Sequence, residues 1–262
     1  MSAPIITLST DFGTTDGYAG ALKGVLLDRI PDVRLVDLSH DLAPGDVAVA
    51  SHLLARAAPS FPAGTVHLAV VDPGVGTARR GLGLRIGTQL FVGPDNGLFS
   101  GVLDTAEPVT AHALENPSLW LPSVSPVFHG RDVFAPVAAF LARGGALATV
   151  GPAVDPHSLV RLAIPSPTRA GDALRGEVVH VDRFGNLVTN LTAPKGAPAT
   201  VEVSGRTLPL SRTYGDVASG ALVAVVGSSG RIEISVRDRS AAAHLGAGAG
   251  LVVTLRSPRE SV

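Results

Sequence analysis

The 262-residue sequence contains no cysteine. The chain therefore has neither disulfides nor thiolate metal ligands, and redox chemistry at sulfur is excluded. Two other signatures are missing: the eight histidines include no pair spaced as in His-Glu-x-x-His, and there is no Gly-x-Ser-x-Gly nucleophile elbow. We therefore expect no metal site, and an acyl hydrolase is disfavoured.

Charge of either sign is scarce as well. Charged residues make up 16% of the chain, the formal net charge is −1, and no Lys/Arg cluster is longer than Arg79-Arg80. Such a chain has no basic surface field for a phosphate backbone, so we expect no nucleic-acid partner. No apolar run is long enough to span a bilayer, and Asp11 stands where a signal peptide would need apolar residues. The expected location is the cytoplasm, without membrane attachment.

The composition and the hydrophobic pattern indicate two folded domains. Hydrophobic residues make up 45% of the chain, with 30 Gly and 20 Pro, as in globular proteins with many turns. Aliphatic runs and amphipathic stretches alternate up to about residue 165, which predicts strands and helices in a mostly parallel α/β domain. A Pro- and Gly-bearing stretch, residues 164–171, is typical of a linker. Short β-rich segments then predict a small antiparallel barrel or sandwich. The predicted domains are 1–165 and 172–262.

Acidic side chains follow three of the predicted N-terminal strands. These are Asp11, Asp41 and Asp72, and in a parallel sheet the loops at the carboxyl ends of strands form the ligand crevice. Asp11 and Asp16 both precede a predicted helix, so one interpretation is that one of them caps it. The alternative is that one carboxylate binds a ribose diol while the other holds an ammonium group.

Two further segments contain candidate site residues, an acid and a base in the first and a histidine in the second. Residues 70–79 end a buried-looking strand with Asp72, a tight turn and Arg79, and the pair either stabilises the turn or belongs to a site. The segment is not a phosphate loop because it lacks the Gly-Lys-Ser/Thr ending. His129 precedes a predicted helix, where a histidine is either a hydrogen-bonded structural residue or a catalyst.

In the second predicted domain, residues 181–190 resemble a hairpin with several polar groups and one aromatic ring. The turn needs only Gly and Asn. Phe184 and Asn186 are better explained by a purine, because a ring stacks on Phe and an amide matches a base edge. Residues 227–231 form a similar loop that can offer backbone N–H groups to a carboxylate.

Together these segments resemble the S-adenosyl-L-methionine (SAM) hydrolases that form adenosine, also called SAM hydroxide adenosyltransferases, which are related to fluorinating and chlorinating enzymes. The resemblance covers nearly the whole chain and is most specific at residues 10–20, 70–80, 91–98, 128–136 and 182–190. It implies an α/β N-terminal domain, a β-barrel C-terminal domain, no cofactor, and a homotrimer whose active sites lie between subunits.

The resemblance also implies a role for particular residues. Asp72, Arg79 and His129 would form the hydrolytic set, and Asp11 would bind the ribose diol. The remaining substrate contacts would be Asp16 and Asp182 to the methionine ammonium, Phe184 and Asn186 to adenine, and Ser228 at the methionine end. Water would then attack C5′ of SAM in line with the departing methionine.

Two positions separate the hydrolase interpretation from the halogenases. In the fluorinating relatives, tyrosine occupies the position of Asp72 and serine that of Gly130, and the chlorinating relatives also lack the acid. A carboxylate repels halide, so Asp72 favours water as the nucleophile. The alternatives are a SAM-dependent halogenase and a protein that binds SAM or adenosine without catalysis.

Overall fold

A computed structural model describes residues 3–105, 107–163, 165–193 and 199–256. The chain divides into two units between Leu162 and Ala163. In the predicted linker, Ile164 lies outside the described residues, and Thr168–Ala170 forms a short strand. No helix among the described residues combines the length and apolar character that crossing a membrane requires.

The N-terminal unit is an α/β layer built on one seven-stranded sheet. In chain order its elements are β1 (Ile5–Thr10), α1 (Tyr18–Arg29), β2 (Arg34–Ser39), α2 (Val47–Ala57), β3 (Val66–Val70), β4 (Gly81–Ile86), β5 (Gln89–Pro94), α3 (Ser100–Leu103), β6 (Val109–Ala113), α4 (Ala135–Ala142) and β7 (Ala153–Val154). The strand order is β2-β1-β3-β5-β4-β6-β7. The pairings make β4 and β7 antiparallel to the other strands, so the predicted mostly parallel α/β sheet is confirmed.

Both faces of the sheet are covered, which explains the continuous apolar runs in its central strands. Every residue of β3 is buried. Side chains alternate between faces along a strand, so Leu68 packs in a core with α1 and α4, whereas Ala69 packs in a core with α2 and α3. Each fully buried leucine in these cores contributes about 1.5–3 kcal/mol through removal of its apolar surface from water.

The parallel pairing places three loops at one edge of the sheet. Ser9 of β1 lies beside Ser39 of β2, and Thr10 lies beside Val70 of β3. The residues that follow these strands therefore leave the sheet on the same side. This edge is where Asp11, His40 and Asp72 lie close in space.

The C-terminal unit is a closed barrel of seven strands with an eighth strand attached. Its elements are β8 (Thr168–Ala170), β9 (Ala173–Val181), β10 (Leu187–Thr192), β11 (Thr200–Val203), β12 (Arg206–Ser211), β13 (Leu222–Val226), β14 (Arg231–Val236), α5 (Ala241–Leu245) and β15 (Val252–Arg256). β9 pairs with both β10 and β15 and so closes the ring, while β8 pairs with β9. The predicted C-terminal β-barrel is confirmed.

One pairing differs from the expected antiparallel pattern. β12 and β13 run parallel, with Leu210 beside Ala224. They are joined by residues 212–221, which include a helical turn at Tyr214–Asp216, rather than by a tight hairpin loop. A long connection lets the chain return to the same end of the barrel before the next strand begins.

Candidate functional site

Asp72, Arg79 and His129 form one connected group at the edge of the N-terminal sheet. Arg79 Nε donates to Asp72 Oδ1 at 2.9 Å, and Arg79 Nη2 donates to Asp72 Oδ2, so the guanidinium grips the carboxylate with two bonds. The same Nη2 lies 3.1 Å from His129 Nδ1. Only 6% of the Asp72 side chain and 11% of the Arg79 side chain are exposed. The arginine therefore links the acid and the imidazole from one side.

The loop after β3 folds back so that Arg79 meets Asp72. Val75 N–H donates to the Asp72 carbonyl and Thr77 N–H to the Gly74 carbonyl, which makes two successive turns. Gly76 has φ of +78°, and a Cβ there would lie 2.8 Å from the Pro126 carbonyl oxygen. Only glycine combines this left-handed backbone with that close approach.

His129 lies at the start of a turn of π-helix over Gly130–Phe134. The N–H of Ala135 donates to the Gly130 carbonyl five residues earlier, which is the π-helical pattern often found at functional sites. The buried Asp132 in this turn accepts from Ser125 N–H at 2.8 Å and fixes the preceding loop. Arg79 also lies over the Phe134 ring, 5.1 Å from its centroid.

The contact with Arg79 determines the protonation of His129. A guanidinium has only donors, so Nδ1 must accept, and the neutral ring has its hydrogen on Nε2. Burial, reinforced by the positive charge of Arg79, lowers the pKa of His129, although Asp72 and Asp132 oppose the shift. A lowered pKa keeps the ring neutral at pH 7. His129 therefore has an Nε2–H donor to offer and no unoccupied nitrogen lone pair while the contact lasts.

A cavity of about 390 Å³ opens beside this group. Its wall includes Asp11, Asp72 and His129, and its volume falls within the roughly 300–1,000 Å³ of small-molecule sites. Asp11 Oδ2 accepts from the Gly45 N–H at 2.8 Å, which ties the loop after β1 to the loop after β2. Three of the residues singled out in the sequence thus share one cavity.

Three aromatic rings beside the cavity were not identified from the sequence. Phe12, Tyr18 and Phe128 contact one another, with ring centroids 5.4–6.1 Å apart. Phe12 and Phe128 line the cavity directly. For two of the rings a signal was present in the sequence, because Phe12 directly follows Asp11 and Phe128 directly precedes His129.

Asp16 lies on an exposed turn, where its carboxylate is 3.4 Å from the Thr15 hydroxyl. The interpretation of Asp11 or Asp16 as a helix cap is wrong. α1 is preceded by Gly17 in a left-handed conformation, with no side-chain cap.

The Pro-Asp-Asn-Gly segment at residues 94–97 has contacts beyond its own backbone. Asn96 Nδ2 donates to the Val71 carbonyl at 2.9 Å, which secures the chain immediately before Asp72. Asp95 is paired with Arg80, whose Nε donates to Oδ2 at 2.8 Å. Residues 94–97 therefore help to hold the loop that follows β3 in place.

Four of the predicted substrate contacts, Asp182, Phe184, Asn186 and Ser228, lie in the C-terminal unit. The hairpin between β9 and β10 is present, and Asp182 fixes it by accepting from the N–H groups of Phe184 and Asn186 and from the Asn186 amide. Phe184 is 78% exposed, while Asn186 is 9% exposed. Ser228 is exposed on the loop between β13 and β14.

The described residues contain no group of three or more His, Asp or Glu side chains arranged to hold a metal ion.

Comparison with known proteins places both units in one family. The family model described as SAM hydroxide adenosyltransferase N-terminal domain matches residues 6–151, and the one described as SAM hydroxide adenosyltransferase C-terminal domain matches residues 176–254. The two matches include Asp11, Asp72, Arg79, His129 and Asp182.

Relatives and solved structures agree with these matches. Proteins named (R)-S-adenosyl-L-methionine hydrolase are 45% identical over 260 residues in Thermus thermophilus (96% of this chain, 99% of the relative) and 44% identical over 246 residues in Salinispora tropica (93% and 94%). A fluorinase of an Actinoplanes species is 32% identical over 213 residues, 72% of each chain. A crystal structure of an uncharacterized conserved protein from Thermotoga maritima superposes with a TM-score of 0.87 at 34% identity, covering 96% of this chain and 99% of that one.

Proposed function

The chain belongs to the SAM hydroxide adenosyltransferase family, and from that premise we propose that it hydrolyses SAM to adenosine and L-methionine. The observation that supports this most is the connected Asp72–Arg79–His129 group, because Asp72 and His129 line the same cavity as Asp11. A protein that only binds SAM or adenosine has no need of an acid, a guanidinium and a neutral imidazole joined at one place.

The reaction is a displacement at C5′ of the substrate. The oxygen of water forms a bond to C5′ while the C5′–sulfur bond breaks and its electron pair leaves with methionine. The products are adenosine, which has a new 5′ hydroxyl group, together with methionine and one proton. The leaving group is a neutral thioether, so the displacement needs no Lewis acid. A preorganised site favours the dispersal of the sulfonium charge as the transition state forms.

Each member of the group has a distinct task in this proposal. His129 donates Nε2–H to the water oxygen, which orients the water and leaves a lone pair for C5′. Asp72 accepts a hydrogen bond from the same water and then its proton, because His129 Nδ1 is occupied by Arg79. Arg79 supplies the counter-charge of Asp72 and fixes its orientation through two hydrogen bonds.

Positioning supplies most of the acceleration. Correct orientation of a reactant contributes up to roughly 7–11 kcal/mol, whereas a general base typically adds about 10²–10⁴-fold.

The other contacts follow the same proposal. Asp11 binds the ribose diol, while Asp16 and Asp182 hold the methionine ammonium. Phe184 stacks on adenine, Asn186 bonds to its edge, and Ser228 faces the methionine end. The Asn186 amide group already donates to Asp182, so its carbonyl oxygen is the atom offered to the adenine amino group.

The relatives' names specify the configuration at sulfur. Two of them, 44–45% identical to this chain, are named as hydrolases of (R)-S-adenosyl-L-methionine. We extend this preference to the present chain. Separated (R) and (S) epimers, supplied at equal concentration, are expected to give faster adenosine release from the (R) form, and equal rates contradict the assignment.

A homotrimer in the cytoplasm completes the proposal. Its support is the family resemblance together with two exposed apolar groups, Val127 at the cavity and Phe184 on the barrel. In an assembly with active sites between subunits both groups become covered. Sedimentation of the purified protein is expected to give three times the chain mass, and a monomer at micromolar concentration contradicts it.

The decisive experiment follows the oxygen atom. Purified protein is incubated with SAM in H₂¹⁸O, and the nucleoside is identified by chromatography and mass spectrometry. We expect adenosine with ¹⁸O at the 5′ position. Unlabelled adenosine, or no adenosine, overturns the proposal. A parallel incubation with fluoride or chloride separates the halogenase alternative, for which a 5′-halogenated nucleoside is the product.

A further inference from the structure

A chain of four polar side chains runs beneath the loop that contains Asp11. Lys23 Nζ donates to Asp37 Oδ2 at 2.6 Å, and Asp37 Oδ1 lies 3.1 Å from His40 Nε2. His40 Nδ1 lies 2.7 Å from the hydroxyl of Thr10. Thr10 is completely buried and His40 is 6% exposed. The hydrolytic scheme uses none of these four side chains.

The donors and acceptors along this chain have one consistent order. The N–H of Phe12 donates to Thr10 Oγ1 at 3.3 Å, so the hydroxyl hydrogen of Thr10 is available to His40 Nδ1. With Nδ1 as the acceptor, the imidazole hydrogen lies on Nε2, which is 3.1 Å from Asp37 Oδ1 without the geometry of a hydrogen bond. The Asp37 carboxylate accepts from Lys23, and the hydrogen bond that ties His40 to the loop is the one with Thr10.

His40 contacts the loop after β1 on both sides of Asp11. Its ring contacts Thr10, the residue before Asp11, and its carbonyl accepts from Gly13 N–H at 2.8 Å. Asp11 itself accepts from Gly45, which lies in the same loop as His40. The backbone around the carboxylate is thus held at three points by the loop after β2, although residues 10 and 40 are far apart in the chain.

We infer that His40 is a positioning residue that, through Thr10, holds Asp11 where it binds the two hydroxyls of the substrate ribose. The inference rests on the proposed role of Asp11 and extends it. Misplacement of a binding group by about 1 Å can cost on the order of 10²-fold in rate. A displaced Asp11 therefore loses the advantage that it gives to substrates with an intact diol.

The test compares SAM with its 2′-deoxy analogue. A hydrogen bond to a charged group changes a binding constant by roughly 10- to 100-fold, so the wild-type ratio of kcat/KM between the two substrates should lie in that range. Asp11→Asn keeps an acceptor for the hydroxyls but loses the charge, so it is expected to lower the ratio. This variant measures directly how much of the discrimination comes from Asp11.

Two matched pairs then address His40 and Thr10. In His40→Asn the amide oxygen replaces Nδ1 as the acceptor for Thr10, whereas His40→Gln reaches towards Asp37 and removes that acceptor. Thr10→Ser keeps the hydroxyl, and Thr10→Val removes it while preserving the buried shape. We expect a ratio below about threefold in His40→Gln and Thr10→Val, and a ratio near that of the wild type in His40→Asn and Thr10→Ser.

The outcomes separate the inference from the proposed function. Absence of SAM hydrolysis by the wild-type protein contradicts the function itself. Hydrolysis with an unchanged ratio in folded Thr10→Val or His40→Gln overturns the role of His40, as does an unchanged ratio in Asp11→Asn. A purely structural role lowers the melting temperature and both rates together but leaves the ratio intact. Thr10→Val is nearly isosteric, so it keeps the test available if His40→Gln fails to fold.

Discussion

Replacing Asp72 with asparagine isolates the charge of the proposed base from its shape. The two side chains have the same size, and the remaining carbonyl oxygen can still accept from Arg79 Nε as Asp72 Oδ1 does. The new amide nitrogen, in contrast, faces Arg79 Nη2, where two donors meet and no bond forms. The water loses its anionic acceptor, and Arg79 loses its counter-charge.

The expected loss of activity follows from the proposed chemistry. A general base contributes about 10²–10⁴-fold, which is about 3–5 kcal/mol of the activation barrier. We expect kcat of Asp72→Asn to fall by at least about 100-fold. Binding of SAM should change much less, because the ribose, adenine and methionine contacts involve other residues.

The same change also lowers stability. With 6% and 11% of the two side chains exposed, the pair is nearly buried, and removing one partner of such a pair costs about 3–5 kcal/mol. Because one side of the pair faces an open cavity, we expect the lower value, about 3 kcal/mol. For a unit of this size that corresponds to a fall of roughly 6–12 °C in Tm.

The chain offers a matched control in a second Asp–Arg pair. Asp95, only 3% exposed, is bonded to Arg80, but neither side chain lines the cavity beside Asp72. Asp95→Asn should lower Tm while kcat stays within a few-fold of the wild type. Calorimetric SAM binding, adenosine release and thermal melts are measured for both variants. Turnover of Asp72→Asn within tenfold of the wild type, or an equal loss in Asp95→Asn, refutes the assignment of Asp72 as the base.

Two other predictions concern stability and loop geometry. Burial lowers the pKa of His67 from 6.5 to about 4, so above pH 6.5 the ring is neutral in both states and has no effect. Below pH 6.5 the unfolded chain takes up the proton first, so the free energy of unfolding should fall by about 1.4 kcal/mol per pH unit until pH 4. Denaturant titrations test this, and it is contradicted if His67→Gln shows the same dependence of the free energy of unfolding on pH. Gly76→Ala should lower kcat at least tenfold, because the new Cβ would lie 2.8 Å from the Pro126 carbonyl oxygen and displace the turn between Asp72 and Arg79. A fully active variant whose crystal structure shows this turn in its original place contradicts the prediction.

The sequence by itself determined the features that depend on near neighbours in the chain. Period-2 and period-3.6 patterns are local, so the strands and helices of the N-terminal unit, including β3 before Asp72, followed from spacing. Glycine and asparagine requirements are also local, and they located the hairpin around Asp182. The resemblance added the family, because its motifs lie in short continuous segments.

Only the tertiary structure decided which distant groups touch. His129 meets Arg79 across 50 positions, and His40 meets Thr10 across 30, contacts that depend on strand order and on the packing of loops at one edge of the sheet. The position of the hydrogen on His129 Nε2 follows from such a contact. The parallel pairing of β12 and β13 likewise depends on how the strands of the barrel come together. The physical reason is that periodicity specifies the conformation of a segment, whereas the partner of a buried polar atom depends on how all the segments pack together.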